Sequence, residues 1–313
     1  MFLKKTIIQK SKICTEHYIN LLTKDENIHV PESKKNINVC ISGGGMAGIY
    51  FAGCASFLTY MTVNKNLKIH KIYGTSAGSI AGLLLILCLY SIKNEKYHNT
   101  KYEMNCSKII YLVNNRLREK YINNQYITDI WIEFLEEIIP PDLYIICCNK
   151  LFITINIFDG FIIRKKVISK YKNNKHLLNT IKCSATIPYL TTNNISKYNN
   201  YFTETDYYAF DGIFPIIDDL TFPTLYINLL AINYSLFNRI SVVDKCYESQ
   251  VYDGLHDIYN MYHKYLIYHK NIHNIIYYHN PNKYIIFKKI LFSGIIIGII
   301  YYNIKYKKLK LCL

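Results

Sequence analysis

The sequence predicts an α/β protein with a mostly parallel sheet covered by helices, and three observations carry that prediction. Short apolar runs alternate with helical stretches from residue 37 to residue 230. A glycine-rich loop follows the first of those runs, and a Gly-x-Ser-x-Gly turn joins the second run to a long apolar helix.

In chain order, residues 1–36 form a polar, basic arm that ends in Pro31-Glu-Ser-Lys-Lys-Asn36 and leads into the first strand. Ile37–Ile41 reads as that strand, Ser42-Gly-Gly-Gly-Met-Ala-Gly48 as a loop, and the following residues through Met61 as a helix. Ile69–Tyr73 is the second strand and Ser79–Tyr90 the second helix. Leu151–Phe158 and Phe161–Ile168 read as an antiparallel hairpin turning on Asp159-Gly160, the dipeptide that best supports a two-residue turn. Tyr207–Phe210 and Thr224–Leu230 supply two more strands, so that 37–230 reads as one domain. Residues 231–313 read as a helical extension, with Leu255, Ile258, Tyr259, Tyr262 and Leu266 at helical spacing, then an apolar segment at 290–304.

Composition narrows the function. With Lys+Arg 37 against Asp+Glu 22, the net charge is +15 across 313 residues, yet only Arg116, Arg118, Arg164 and Arg239 are arginines. Charge borne by lysine suits diffuse attraction to anionic lipid and not the bidentate reading of bases, so no nucleic-acid partner is expected. The ten cysteines are scattered, with Cys147 and Cys148 adjacent and no CxxC, which reads as reduced thiols in a cytoplasmic protein. Residues 1–12 lack the apolar core of a secretory leader.

The chemistry sits in the two glycine motifs. Gly74-Thr75-Ser76-Ala77-Gly78 stands between a strand and a helix, where a sharp turn with small flanking residues lifts the Ser76 hydroxyl clear of the backbone. The helix that follows directs its N–H dipoles toward a developing anion. The loop containing Gly43, Gly44, Gly45, Met46 and Gly48 offers unblocked backbone N–H groups to the same pocket, an oxyanion hole in waiting. Gly43, Gly45 and Gly48 also fit G-x-G-x-x-G, but His70-Lys71-Ile72 stands where a dinucleotide site needs its acidic residue, so no nucleotide cofactor is expected.

A serine nucleophile needs a base. Of the Asp-Gly pairs, Asp159 is accounted for by the hairpin turn and Asp253 by an N-cap, which leaves Asp211 at the end of an aromatic strand. For an ordinary carboxylate to act there, burial must raise its basicity.

Four blocks in order, Ser42–Gly48, Gly74–Gly78, Cys183-Ser-Ala-Thr-Ile-Pro188 and Phe210-Asp-Gly212, resemble the patatin-like phospholipase family. The resemblance implies a three-layer α/β/α sandwich and lipid acyl hydrolysis by a Ser-Asp dyad without histidine or metal. By position it makes Ser76 the nucleophile, Asp211 the general base and the N–H groups of Gly44, Gly45 and Met46 the oxyanion donors. It implies no cofactor, and a phospholipid or other acyl-lipid substrate at a membrane surface. Two positions depart from the family pattern: Ala47 replaces a cation, and Ile213 replaces a small residue in a shortened stretch before Pro215.

Two other readings stand beside the dyad. A non-catalytic lipid-surface or scaffold protein would keep the fold without turnover. An esterase with a Ser-Asp-His triad would draw its histidine from the extension, for instance His256. His269 and His273, spaced as metal ligands on a helix, read as a solvated face, and no metal site is expected.

Two runs invite a membrane reading. Ile72–Ile92 carries no charge over 21 residues, yet it contains the serine turn and is expected to be a core helix. The segment 290–304, flanked by Lys288, Lys289, Lys305 and Lys307, is expected to anchor the chain to a membrane.

Overall fold

The computed structural model describes residues 36–44, 50–94, 126–160, 162–188, 191–200, 203–219 and 221–227, together with Gly254 and Ile258. All of them lie in the compact unit Met1–Ile275. The second unit, Ile276–Leu313, contains the expected anchor at 290–304, which therefore falls outside the described residues.

The elements run β1 (Asn36–Ile41), α1 (Tyr50–Asn64), β2 (Lys68–Gly74), α2 (Ala77–Lys93), α3 (Ile127–Ile138), α4 (Leu143–Cys147), β3 (Leu151–Asp159), β4 (Ile162–Ile168), α5 (Asn174–Ala185), β5 (Ser196–Asn200), β6 (Thr205–Asp211) and β7 (Thr224–Ile227). The strands form a seven-stranded sheet in the order β5-β6-β3-β2-β1-β7, with β4 paired to β3. β7, β1, β2 and β3 are mutually parallel; β4 and β6 oppose β3, and β5 opposes β6. Five of the seven strands thus run one way, and the α/β class with a mostly parallel sheet is the one the sequence predicts.

The uncharged run of 72–92 divides into the end of β2, the serine turn and most of α2. Ile80, Leu83, Leu84, Leu85, Ile86 and Leu87 are all buried, so α2 is apolar on every side because it is enclosed by protein. No described helix is long and apolar enough to cross a membrane. α2 packs on β1, β2 and β3, and α5 covers β3, β5 and β6 beside it; α1 packs on α2, and α3 on α5. α5 begins at Asn173, whose side chain accepts a hydrogen bond from the His176 N–H at 2.8 Å. A separate core of Cys40, Tyr73 and Phe152 is closed by Val167, Ile217 and Tyr226. The described cysteines, Cys40, Cys54, Cys88, Cys147, Cys148 and Cys183, form no disulfide.

The hairpin turn lies one residue later than expected, which moves the cross-strand partners by two. Asp159 pairs with Ile162 and Phe158 with Ile163, so the two-residue loop is Gly160 with residue 161, not Asp159-Gly160. Gly160 takes φ 63°, which glycine adopts without strain, while Asp159 remains extended and pairs with Arg164 at 3.3 Å. Each residue of one strand therefore meets a partner two positions further along, so the faces are kept while the facing pairs change.

β3 positions the site. β4 and β6 both pair with its residues 155–158, so they occupy opposite edges. The β4 edge continues downward through the bond from the Asn149 N–H to the Ser169 carbonyl, which leaves β2, paired at 151–153, on the β6 edge. β6 therefore descends toward the point where β2 stops. In the extension, Gly254 packs on α1: its carbonyl accepts from the Cys54 thiol at 3.5 Å, and Ile258 is buried.

Candidate active site

β2 ends at Gly74, and the chain turns at once into α2. Ser76 occupies the turn with φ 53° and ψ −132°, a conformation that costs an L-residue of order 1–3 kcal/mol and persists only where the surroundings enforce it. The enforcement is visible. The Gly78 N–H donates to the Thr75 carbonyl at 2.8 Å, and the Ser79 N–H and hydroxyl both donate to the Ser76 carbonyl, at 2.9 and 2.6 Å. A side chain on Gly78 would overlap the carbonyls of Ile41 and Ser42, so only glycine lets the new helix lie against the end of β1. Ala77 opens α2, and Thr75 hydrogen-bonds through its N–H to the Ile41 carbonyl at 3.3 Å.

Asp211 is the last residue of β6, opposite Ile155. Its N–H donates to the Thr186 carbonyl at 2.8 Å, and its own carbonyl accepts from the buried Asn156 amide. The Ile213 N–H donates to Oδ1 at 2.6 Å, closing a tight turn in which Ile213 takes φ 62°. A β-branched residue is strained there, and a glycine would not be. The shortened turn nonetheless keeps the carboxylate in place.

The described chain brings these two residues together: Gly43 lies against both the Ser76 side chain and the Ile213 carbonyl, Gly212 lies against Thr75, and Ser76 is near enough to pull on the Asp211 carboxyl. Ser76 and Asp211 are both buried, at 8% and 7% exposure. Burial pushes the Asp211 carboxyl from its ordinary 3.8 up to about 6, against the opposing pull of Ser76, the Ile213 N–H and the charge of Lys165. Lys165 is held over the same turn by a 3.1 Å bond to the Phe214 carbonyl.

Of the glycine loop, Gly43 and Gly44 are described; Gly45, Met46 and Gly48 are not. Gly43 abuts the serine so closely that a methyl group on it would stand 3.1 Å from the Ser76 Cβ and 3.7 Å from its Oγ. The Ser76 N–H is not available to an incoming anion, because it donates to Ser184 Oγ at 3.0 Å. Ser184, fully buried on α5, in turn donates to the Thr154 carbonyl at 2.8 Å and so ties the turn to β3. Sequence reasoning set the stretch around Cys183–Pro188 beside the site but gave Ser184 no task; a buried serine on a helix carries no local signal of its own.

His256 lies outside the described residues, as do His269 and His273. The described histidines are engaged elsewhere: His70 with Asn36 at 2.9 Å and stacked on Phe222, and His176 with the Lys172 N–H at 3.3 Å. No group of three or more His, Cys, Asp or Glu converges as a metal site among the described residues.

A buried serine in a strained strand-to-helix turn, beside a strand-end aspartate and flanked by a glycine loop, falls within the region that the patatin-like phospholipase family model matches, residues 39–214. The chain belongs to the patatin-like phospholipase family. Membership points to lipid acyl hydrolysis as its class of chemistry and to an acyl lipid as substrate. No curated protein and no solved structure matches the chain.

Proposed function

We propose that the protein is a serine acyl hydrolase that cleaves fatty acyl esters of lipids at a membrane surface, with Ser76 as nucleophile and Asp211 as its base. The observation that carries the reading is the approach of the buried Asp211 turn to Ser76, at a serine turn whose conformation is otherwise costly. With its carboxyl raised to about 6, Asp211 is ionised at neutral pH and still more basic than an ordinary aspartate, which suits proton abstraction.

Asp211 takes the hydroxyl proton as Ser76 Oγ attacks the ester carbonyl. The tetrahedral oxyanion is met by backbone N–H groups of the loop 43–48 and by the N-terminal dipole of α2. The proton passes from Asp211 to the departing alcohol, and the acyl group stays on Ser76. Water, activated by the same carboxylate, then releases the fatty acid and restores the serine. Ser184 is a positioning residue in this scheme, since it holds the Ser76 backbone without touching substrate.

The reading is tested by acyl release from mixed phospholipid, lysolipid and acylglycerol substrates, with a fluorophosphonate probe reporting on Ser76. Turnover and labelling that vanish in Ser76→Ala support it. Equal rates for the two proteins, or a folded wild type that does not label, would leave a non-catalytic lipid-surface protein in its place.

A further inference from the structure

Beyond the site, the most unusual surface is the end of the β3–β4 hairpin. Exposed large apolar side chains gather there: Phe158 at 38%, Ile162 at 57%, Ile163 at 37% and, on the neighbouring strand, Tyr208 at 53%. Phe158 pairs with Ile163 on one side and Tyr208 on the other, and directly paired residues share a face, so these three form one contiguous patch. A patch of this kind marks an interaction site more often than it marks nothing.

Its position is informative. Gly74 at the end of β2 pairs with Ile153, and Phe158 lies five residues further along β3, roughly 17 Å beyond it in the direction of Ser76. The hairpin therefore extends past Ser76 and Asp211 on the same side of the sheet, with the ends of β5 and β6 alongside it. Cations surround its apolar end: Lys197 lies 5.6 Å from the Tyr208 ring, Lys166 lies 4.3 Å from the Tyr207 ring, and Arg164 is largely exposed. Ammonium groups resting on aromatic faces beside an apolar end give this surface the mixed cationic and apolar character that suits an anionic interface with an apolar interior. A second copy of the chain fits poorly. β4 is an edge strand, and the run Arg164, Lys165, Lys166 would set like charges against each other if two copies paired edge to edge along it.

We propose that the β3–β4 hairpin, with Tyr208, is a prong that inserts into anionic lipid surfaces and seats the Ser76 rim on the bilayer. Insertion itself is independent of turnover; only its purpose rests on the reading of Ser76 as a lipid nucleophile. The apolar end enters the acyl region, Arg164, Lys166 and Lys197 meet the headgroups, and the rim with the serine faces the lipid from which an ester would be drawn.

The test uses the full chain in the Ser76→Ala background, so that catalysis plays no part. Ile162→Trp adds a reporter at the end of the hairpin, and the single native tryptophan, Trp131 on α3, is the built-in control. On vesicles of phosphatidylcholine mixed with phosphatidylserine, the added emission is expected to shift to shorter wavelength. Brominated acyl chains are expected to quench it, while the signal of the parent protein changes little. Phe158→Ser with Ile163→Ser should weaken vesicle partitioning about tenfold or more, and in the active protein leave hydrolysis of a water-soluble short-chain ester unchanged. Failure to bind these vesicles overturns the proposal, as does binding with the added tryptophan unquenched. A concentration-dependent dimer dispersed by the double substitution would assign the patch to a second copy instead. A short-chain ester rate unaffected by Ser76→Ala would count against the hydrolase reading and leave the insertion result standing.

Discussion

The two halves of the sheet hold their functional residues by different means. In the parallel half, Ser76 is held by backbone against backbone: glycines at 74 and 78 let β1, β2 and α2 approach too closely for any side chain. In the antiparallel half, Asp211 is held by hydrogen bonds from Asn156 and Ile213 and by its own N–H to the Thr186 carbonyl, around a turn where Ile213 is strained. The first half should tolerate no added atom, whereas the second should respond to charge and to single hydrogen bonds.

The largest expected effect treats the halves alike. Ser76→Ala and Asp211→Asn should each lower acyl release by about 10³-fold or more, measured on protein whose folding is checked by circular dichroism. Unequal losses, with Asp211→Asn nearly as active as the parent, would separate the two and break the dyad.

Stability should then separate the halves. Gly78→Ala places a methyl group on the carbonyls of Ile41 and Ser42, which no rotamer change can relieve, and should cost about 3 kcal/mol or prevent folding. Denaturant unfolding reads the loss, and a change below about 1 kcal/mol would show that the turn can give way.

Asp211→Asn should do the opposite at neutral pH. The folded carboxyl holds its proton more tightly than the unfolded one, at about 6 against 3.8. Stability therefore falls as pH rises through that window, and the penalty is complete above it. Removing the charge should stabilise the fold by up to about 3 kcal/mol above pH 6, with the gain fading toward pH 4. By the same proton, acyl release should rise through an apparent pKa near 6, and Lys165→Met should move that rise to higher pH.

Smaller effects test the links between the halves. Ser184→Ala leaves the Ser76 N–H without its acceptor and should cost about 1–2 kcal/mol, with kcat lowered more than KM is raised. Ile213→Gly relieves a left-handed β-branched residue and should stabilise by about 1 kcal/mol or slightly less, since glycine also loosens the unfolded chain. Thermal unfolding of both variants ranks them.

What the sequence made legible follows the same division. The serine turn and its glycines at 74 and 78 could be read because tight main-chain approach demands particular residues at fixed spacing. Asp211 was reached by setting aside Asp159 and Asp253, which turns and caps account for. Ser184 could not be read, because its task is set by α5 lying against β3, a contact between segments thirty residues apart. The hairpin turn lies one residue later than the sequence suggests, since Asp-Gly supports a turn in more than one frame and Asp159 pairs in the ladder with Ile162. Nor did residues 231–313 betray that Gly254 and Ile258 pack into the same unit as α1.

The bond from the Ser76 amide to Ser184 has an evolutionary corollary. In the proposed mechanism, with that amide already committed, the attacking alcohol and the cradle for the charge it creates come from different stretches of polypeptide. Drift within 43–48 alone can silence chemistry while every contact that holds the serine survives. A descendant of this protein that has given up turnover should therefore show its decay first in that loop, long before the serine itself is lost.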